Sequence, residues 1–100
     1  MSERTKGEIK LQIVESLKPE AEIHKIVVFG SFLESVNPDD IDVAIFQDSE
    51  EPYLSLAMKY RRLTREIAKN IPIDIIPLKV NAPVNSFLSE IEEGEVIYER

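Results

Sequence analysis

The spacing of hydrophobic residues along the chain predicts an alternation of helices and strands. In the first segment apolar residues recur every four positions, at Ile9, Ile13 and Leu17, which predicts a helix. Ser2 can cap this helix and Pro19 would end it. A second stripe with helical spacing predicts a helix that runs to about Lys69 and ends before Pro72; its core positions are Leu56, Tyr60, Leu63 and Ile67.

Shorter apolar runs between these helices predict strands. Residues 24–29 contain a continuous β-branched and aromatic run, which is typical of a strand buried on both faces. Residues 40–46 alternate instead, and this period of two puts Asp40 and Asp42 on one face and the isoleucines and valine on the other. Residues 73–76 predict a third strand bounded by Pro77, and residues 95–98 predict a terminal one.

Short connections complete the predicted order of elements. Gly30 and Ser31 end the first strand, and residues 32–35 are long enough for one or two helical turns. A last short helix is predicted from a cap at Asn85 or Ser86 to Gly94. The resulting α-β-α-β-α-β-α-β order predicts an α/β or α+β fold, in which helices pack on a mixed sheet of three to four strands. We expect residues 1–100 to form a single domain.

Composition narrows the function classes. The 12 basic and 19 acidic residues give a net charge of −7, which makes nucleic acid an unlikely partner. There is no cysteine for a disulfide or a thiolate metal site, and no apolar run long enough for a leader or a membrane span, so we expect a cytoplasmic protein that does not bind membranes. The only glycines, Gly7, Gly30 and Gly94, cannot form the dinucleotide or Walker phosphate loops.

Three features suggest a metal-dependent phosphate chemistry. Gly30 lets the backbone approach a phosphate and Ser31 adds a hydroxyl, while Asp40, Asp42 and Asp74 offer hard oxygen ligands for Mg²⁺. Such an arrangement is typical of two-metal phosphoryl or nucleotidyl transfer. The alternative for the glycine and serine is an ordinary tight turn, and for the first acid an Asx turn after Asn37 and Pro38.

Basic residues concentrate on the second long helix. A solvated helix face explains them best, and a patch for a triphosphate or a partner is the alternative; the residues are Lys59, Arg61, Arg62, Arg65 and Lys69. The single histidine, His24, is expected at a strand edge without a catalytic role. Tyr60 and Tyr98 are expected to pack in or near the core.

These motifs together resemble the minimal nucleotidyltransferases of the DNA polymerase beta superfamily. The segments that carry the resemblance are residues 28–32, 39–43, 73–76 and 87–98. The resemblance implies that Gly30 and Ser31 hold a triphosphate, that Asp40 and Asp42 bind two Mg²⁺ ions, and that Asp74 helps to activate the attacking hydroxyl. It also implies transfer of a nucleoside monophosphate, with AMP from ATP as the expected case, to a hydroxyl of a protein or small molecule.

Stand-alone members of this family often pair with a HEPN-type protein as its antitoxin, so the resemblance implies such a partner, and assembly of several copies of the chain stays open. Two departures favour a second hypothesis, a non-catalytic nucleotide-binding module that neutralises its partner by occlusion. Only eight residues separate Ser31 from Asp40, and Phe32, Leu33 and Glu34 stand where many members carry a cation. A nuclease-like or purely structural domain is a third alternative.

Overall fold

The computed structural model describes residues 1–82 and 86–100, and its helices and strands follow the predicted order with one helix added. The elements are α1 (Glu3–Leu17), β1 (Ile23–Phe29), α2 (Ser31–Glu34), β2 (Ile41–Gln47), α3 (Tyr53–Leu63), α4 (Arg65–Ala68), β3 (Ile73–Lys79), α5 (Ser86–Glu92) and β4 (Glu95–Glu99). The predicted cap of α1 is confirmed, since the Ser2 hydroxyl accepts a hydrogen bond from the Thr5 amide at 3.1 Å. Asn85, one of the two residues predicted to cap the last helix, lies outside the described residues.

The four strands form one mixed sheet in the order β3-β2-β1-β4. β1 is antiparallel to both of its neighbours, whereas β2 and β3 are parallel. The central place of β1 explains its continuous apolar run, because residues 26–29 are buried whichever face they point to. The prediction of a mixed sheet with helices packed on it is therefore confirmed.

Each face of the sheet has its own hydrophobic cluster. On the first face α1, α3 and α4 pack against the sheet, and the buried cluster includes Ile13, Ile26, Val43, Tyr60 and Ile67. On the second face the buried cluster, as far as the described side chains show it, consists of Val27, Phe29, Ala44 and Ile91. Since side chains alternate along β2, Asp42 shares this second face with Ala44. Asp42 itself is only partly buried, so the end of the sheet that bears it is accessible to solvent.

Two predicted boundaries are wrong, and each has a local cause. The helix predicted to run to Lys69 is interrupted at Thr64, whose hydroxyl donates a hydrogen bond to the Tyr60 carbonyl at 2.9 Å and whose backbone leaves the helical region (φ −103°, ψ 12°). Pro77 does not end β3, which continues to Lys79. A proline is tolerated there because β3 is an edge strand and only one side of it needs hydrogen-bond donors.

Among the described residues, no helix is both long enough and apolar enough to cross a membrane. The longest described helix, α1, has 15 residues.

Candidate functional site

Three carboxylates meet where β2 and β3 begin. Asp42 and Asp74 each occupy the second position of their strand, and the parallel register places them directly opposite one another. Asp40 stands just before β2, whose first amide, at Ile41, donates a hydrogen bond to the Pro72 carbonyl at 2.9 Å. One oxygen from each carboxylate lies within 4.8 Å of the others. The structure thus brings together the three acids that the sequence singled out.

The acid cluster is electrostatically strained without a cation. The pKa of Asp42 is raised to about 6, first by burial and then by the negative charges of Asp40 and Asp74. A hydrogen bond with Asp74 and the charge of Glu90 on α5 raise it further. Like charges this close lower their free energy by sharing a proton or by binding a cation.

Gly30 joins the end of β1 to this cluster. Its φ of +81° is a value that favours glycine, and it precedes α2 as the N-cap residue. A Cβ built on Gly30 would lie 2.6 Å from Oδ2 of Asp42, so that any side chain at this position has to displace the carboxylate. Gly30 and Ser31 are both exposed, whereas the next residue, Phe32, is fully buried in the core. The strand end therefore offers open backbone and a hydroxyl beside the carboxylates.

The cavity next to Gly30 is acidic. It measures about 250 Å³, and its lining consists of Phe29, Gly30, Leu33, Glu34, Glu90 and Glu93. No lysine or arginine of the described residues contributes to this lining, so no described cation offsets its three glutamates. Sequence reasoning missed Glu90 and Glu93, because the pattern of α5 indicates only that Ile91 faces the core and not which end of the sheet the helix covers.

The remaining sequence candidates lie away from the acids. Lys59 is held by Glu20 and Glu22 at 2.8 and 3.0 Å, and Lys69 pairs with Glu66. His24 contacts Asp48 at 2.7 Å at the opposite end of β1 from Gly30. A cavity of about 570 Å³ lies between α1 and α4, and none of the three aspartates lines it. The chemistry of the molecule is therefore concentrated at one end of the sheet.

The residues present fit a divalent cation with a preference for oxygen ligands. Each of the three side chains offers a carboxylate oxygen, the oxygens lie within reach of a common ion, and Asp40 and Asp42 remain partly accessible while Asp74 is exposed. Their mutual repulsion adds an electrostatic driving force for cation binding. Among the described residues, this is the only group of three or more such side chains close enough to share an ion.

The mixed sheet, its helices and the position of the acids define the class of the molecule as a nucleotidyltransferase-like α+β fold. Residues 11–100 match the family described as Polymerase beta, Nucleotidyltransferase. Since this match spans most of the chain, the protein belongs to that family. A comparison with curated protein sequences found no match.

Solved structures support the same fold. One is a complex of a tri-AMPylated Shewanella oneidensis HEPN toxin with an MNT antitoxin; the match has 17% identity and a TM-score of 0.64, and covers 95% of this chain and 73% of the other. The toxin-antitoxin MntA-HepT matches with 14% identity and a TM-score of 0.61 over 94% of this chain and 73% of the other. A toxin-antitoxin structure with AMP-PNP matches with 17% identity and a TM-score of 0.64, over 91% and 73%. The predicted resemblance to minimal nucleotidyltransferases is confirmed.

Proposed function

We propose that residues 1–100 act as a single minimal nucleotidyltransferase domain, which transfers a nucleoside monophosphate from a nucleoside triphosphate to a hydroxyl. ATP is the expected nucleotide and Mg²⁺ the expected metal. The observation that carries this proposal is the convergence of Asp40, Asp42 and Asp74 within 4.8 Å beside Gly30. In this proposal the three aspartates hold two Mg²⁺ ions with bound nucleotide, and Gly30 and Ser31 orient the triphosphate.

The exposure of the side chains suggests how the reaction would be divided among them. Asp74 is exposed on the edge strand, so an acceptor hydroxyl can approach it from solvent and pass its proton to the carboxylate. The acceptor oxygen forms a bond to the α-phosphorus as the bond between that phosphorus and the bridging oxygen breaks, and pyrophosphate leaves. Bound Mg²⁺ would supply charge neutralisation of the phosphates. Asp42, which is partly buried, would fix the geometry because Gly30 and β3 pack against it.

A HEPN-type protein is the proposed acceptor and partner, so that the chain would serve as an antitoxin. The support is that one matching solved structure is a complex of a tri-AMPylated HEPN toxin with an MNT antitoxin, that a second is the toxin-antitoxin MntA-HepT, and that a third is a toxin-antitoxin structure with AMP-PNP. We expect the chain to act in the cytoplasm, where ATP and Mg²⁺ are available.

A second candidate function is supported by the acidic cavity. Glu34, Glu90 and Glu93 would repel a triphosphate that extends past Gly30, and no described cation lines this space to offset them. If the repulsion prevents productive nucleotide binding, the chain would neutralise its partner by covering a surface of it rather than by modifying it.

The two functions are separated by incubating the chain with a HEPN-type protein from the same organism, Mg²⁺ and ATP labelled on the α-phosphate. Transfer predicts label on the partner, and its loss in each of Asp40→Asn, Asp42→Asn and Asp74→Asn, with a double substitution hardly worse than a single one. Asp39→Asn is the matched control, because this exposed neighbour makes the same change in charge outside the cluster. A wild-type protein that binds and silences the partner without labelling it supports occlusion.

A further inference from the structure

We propose that the exposed face of α3 is a self-complementary surface, through which two copies of this chain associate with their α3 helices antiparallel. The face is defined by Leu54, Met58, Arg61 and Arg62 on α3, together with Glu50 and Glu51 just before the helix. It lies outside the proposed nucleotidyl-transfer site, and the inference does not depend on that activity.

The middle of this face is apolar and open to solvent. Leu54 is 64% exposed and Met58 is 58% exposed, and their spacing of four residues places them next to each other on the helix surface. The opposite side of α3 is already used, since Leu56, Ala57 and Tyr60 are buried against the sheet. An intramolecular role in packing therefore does not explain the two exposed side chains.

The ends of the face carry opposite charges. Glu50 and Glu51 precede the helix and are exposed, while Arg61 and Arg62 lie in its last turn and are exposed as well. Among the described residues, neither arginine side chain has an ion pair or a hydrogen bond, although Lys59 on the same helix is paired with two glutamates. Arg61 and Arg62 also interact favourably with the negative C-terminal end of the helix dipole. A paired arginine would do so equally well, so the dipole alone does not explain why both are unpaired.

One antiparallel register of the two helices brings complementary groups of this face together. When a two-fold axis passes midway between Leu54 and Met58, Leu54 lies opposite Met58 of the second copy. Antiparallel helices place the start of one beside the end of the other. The same register therefore brings the acidic residues that precede α3 in one copy, Glu50 and Glu51, towards the arginines in the last turn of α3 in the other. Two-fold symmetry then forms every pair twice. A parallel arrangement would instead place like charges together.

The separation of negative and positive charge at the two ends of this face argues against an unrelated acidic protein as the molecule that binds there. Such a partner would attract Arg61 and Arg62 but would be repelled by Glu50 and Glu51. A second copy presents both signs in the matching order. One pair of helices buries less than a standard interface of ~1,600 Å², so we expect a dimer that dissociates in the micromolar to millimolar range.

Association through this face would leave the acid cluster open. α3 packs on the first face of the sheet, with Tyr60 in that cluster, whereas Asp42 shares the second face with Ala44. Both copies in the dimer would therefore keep an accessible site.

The experiment is sedimentation of the full chain over a range of protein and salt concentrations, with two charge-reversal variants. One variant carries Glu50→Arg and Glu51→Arg, and the other carries Arg61→Glu and Arg62→Glu. Each alone opposes like charges in both symmetric halves of the interface, and we expect self-association at least about tenfold weaker than that of the wild type. Mixed in equal amounts, the two variants place opposite charges together again, and we expect a heterodimer about as stable as the wild-type dimer.

Matched controls separate this surface from general effects. Leu54→Asp should abolish the dimer, whereas Leu11→Asp, at a residue 60% exposed on α1, should leave it unchanged. The thermal shift caused by MgATP, measured on the same variants, tests the transfer site separately, and we expect it to persist in all of them. A wild type that stays monomeric at millimolar concentration would overturn the proposal. So would charge-reversal variants that form no heterodimer when they are mixed.

Discussion

The backbone of Gly30 lies against the carboxylate of Asp42, so closely that a Cβ at position 30 would stand 2.6 Å from Oδ2. This contact connects the end of β1 to the acid on β2. Gly30 is therefore constrained twice, by its φ of +81° and by the space that its neighbour occupies.

We predict that Gly30→Ala destabilises the protein by about 1–3 kcal/mol, the range for a non-glycine residue held in a rarely populated backbone conformation. The added methyl group must also displace the Asp42 carboxylate, so binding of MgATP should weaken in the same variant. Chemical denaturation and calorimetric titration measure the two effects.

Gly7→Ala is the matched control for this substitution. Gly7 lies inside α1, and a Cβ there would meet nothing within 4 Å. Because alanine is the better helix former, we expect this variant to be more stable by about 0.5–1 kcal/mol. If Gly30→Ala unfolds like the wild type, the tight contact with Asp42 has no energetic consequence.

Asp42→Asn should stabilise the metal-free protein at neutral pH. Burial and the charges of Asp40 and Asp74 raise the pKa of Asp42 from 3.8 to about 6, so the folded state binds this proton more tightly than the unfolded state. The wild type therefore loses stability relative to the variant as pH rises from about 4 through 6, and the difference stays constant above that range.

Urea denaturation of both proteins between pH 3.5 and 8 tests this dependence, in metal-free buffer. Asp39→Asn makes the same change in net charge at an exposed position outside the cluster, and it is the matched control. A step in both variants would mean that the effect comes from net charge rather than from the cluster.

The sequence was sufficient to predict the strands that carry the acids, but not which strands are neighbours. The period of two in β2 places Asp42 on one face, yet the contact with Asp74 also requires β3 to be parallel to β2 with these two residues in register. The family resemblance implied that arrangement, and local spacing did not. The break at Thr64 depends on one hydroxyl bonding back to Tyr60, an interaction that the helical pattern does not reveal.

Tyr60→Phe should destabilise the protein by about 1.5 kcal/mol, the lower end for a hydrogen bond to a charged group. The Tyr60 hydroxyl donates to Oε2 of Glu22 at 2.8 Å. Burial tends to raise the pKa of Glu22, but this bond, a backbone bond and Lys59 lower it overall. The stabilisation should therefore be present above the ordinary pKa of 4.5 and be lost as pH falls below it.

Thermal unfolding of wild type and variant at neutral and acidic pH measures this loss. Tyr98→Phe serves as the control, since its hydroxyl accepts a hydrogen bond from Arg100 at an exposed site, and we expect a change within about 0.5 kcal/mol. Equal effects of both substitutions at every pH would contradict the role assigned to Glu22.

Addition of MgATP should raise the melting temperature of the wild type, because a ligand that binds only the folded state stabilises it by mass action. Asp42→Asn should abolish this rise, and Ser31→Ala should reduce it while leaving the ligand-free melting temperature almost unchanged, since Ser31 is exposed. EDTA should remove the rise in all variants. A shift that persists in Asp42→Asn would show that the nucleotide binds elsewhere.

Glu34→Arg should strengthen binding of MgATP about tenfold, the effect of one good charge-assisted hydrogen bond to a phosphate. Glu34 lines the cavity beside Gly30 together with Glu90 and Glu93, so the substitution replaces a repulsive carboxylate by a guanidinium that can bind a phosphate in two places. Glu99→Arg makes the same charge change at an exposed residue opposite Lys25, far from Gly30 along β1, and should leave the affinity unchanged. An unaltered affinity in Glu34→Arg would mean that the phosphates do not enter this cavity.

The same variant also distinguishes transfer from occlusion. If both the affinity for MgATP and the transfer to the partner rise, the acidic lining limits the rate of an enzyme. If only the affinity rises, weak nucleotide binding is not what prevents modification of the partner, and occlusion becomes the better explanation.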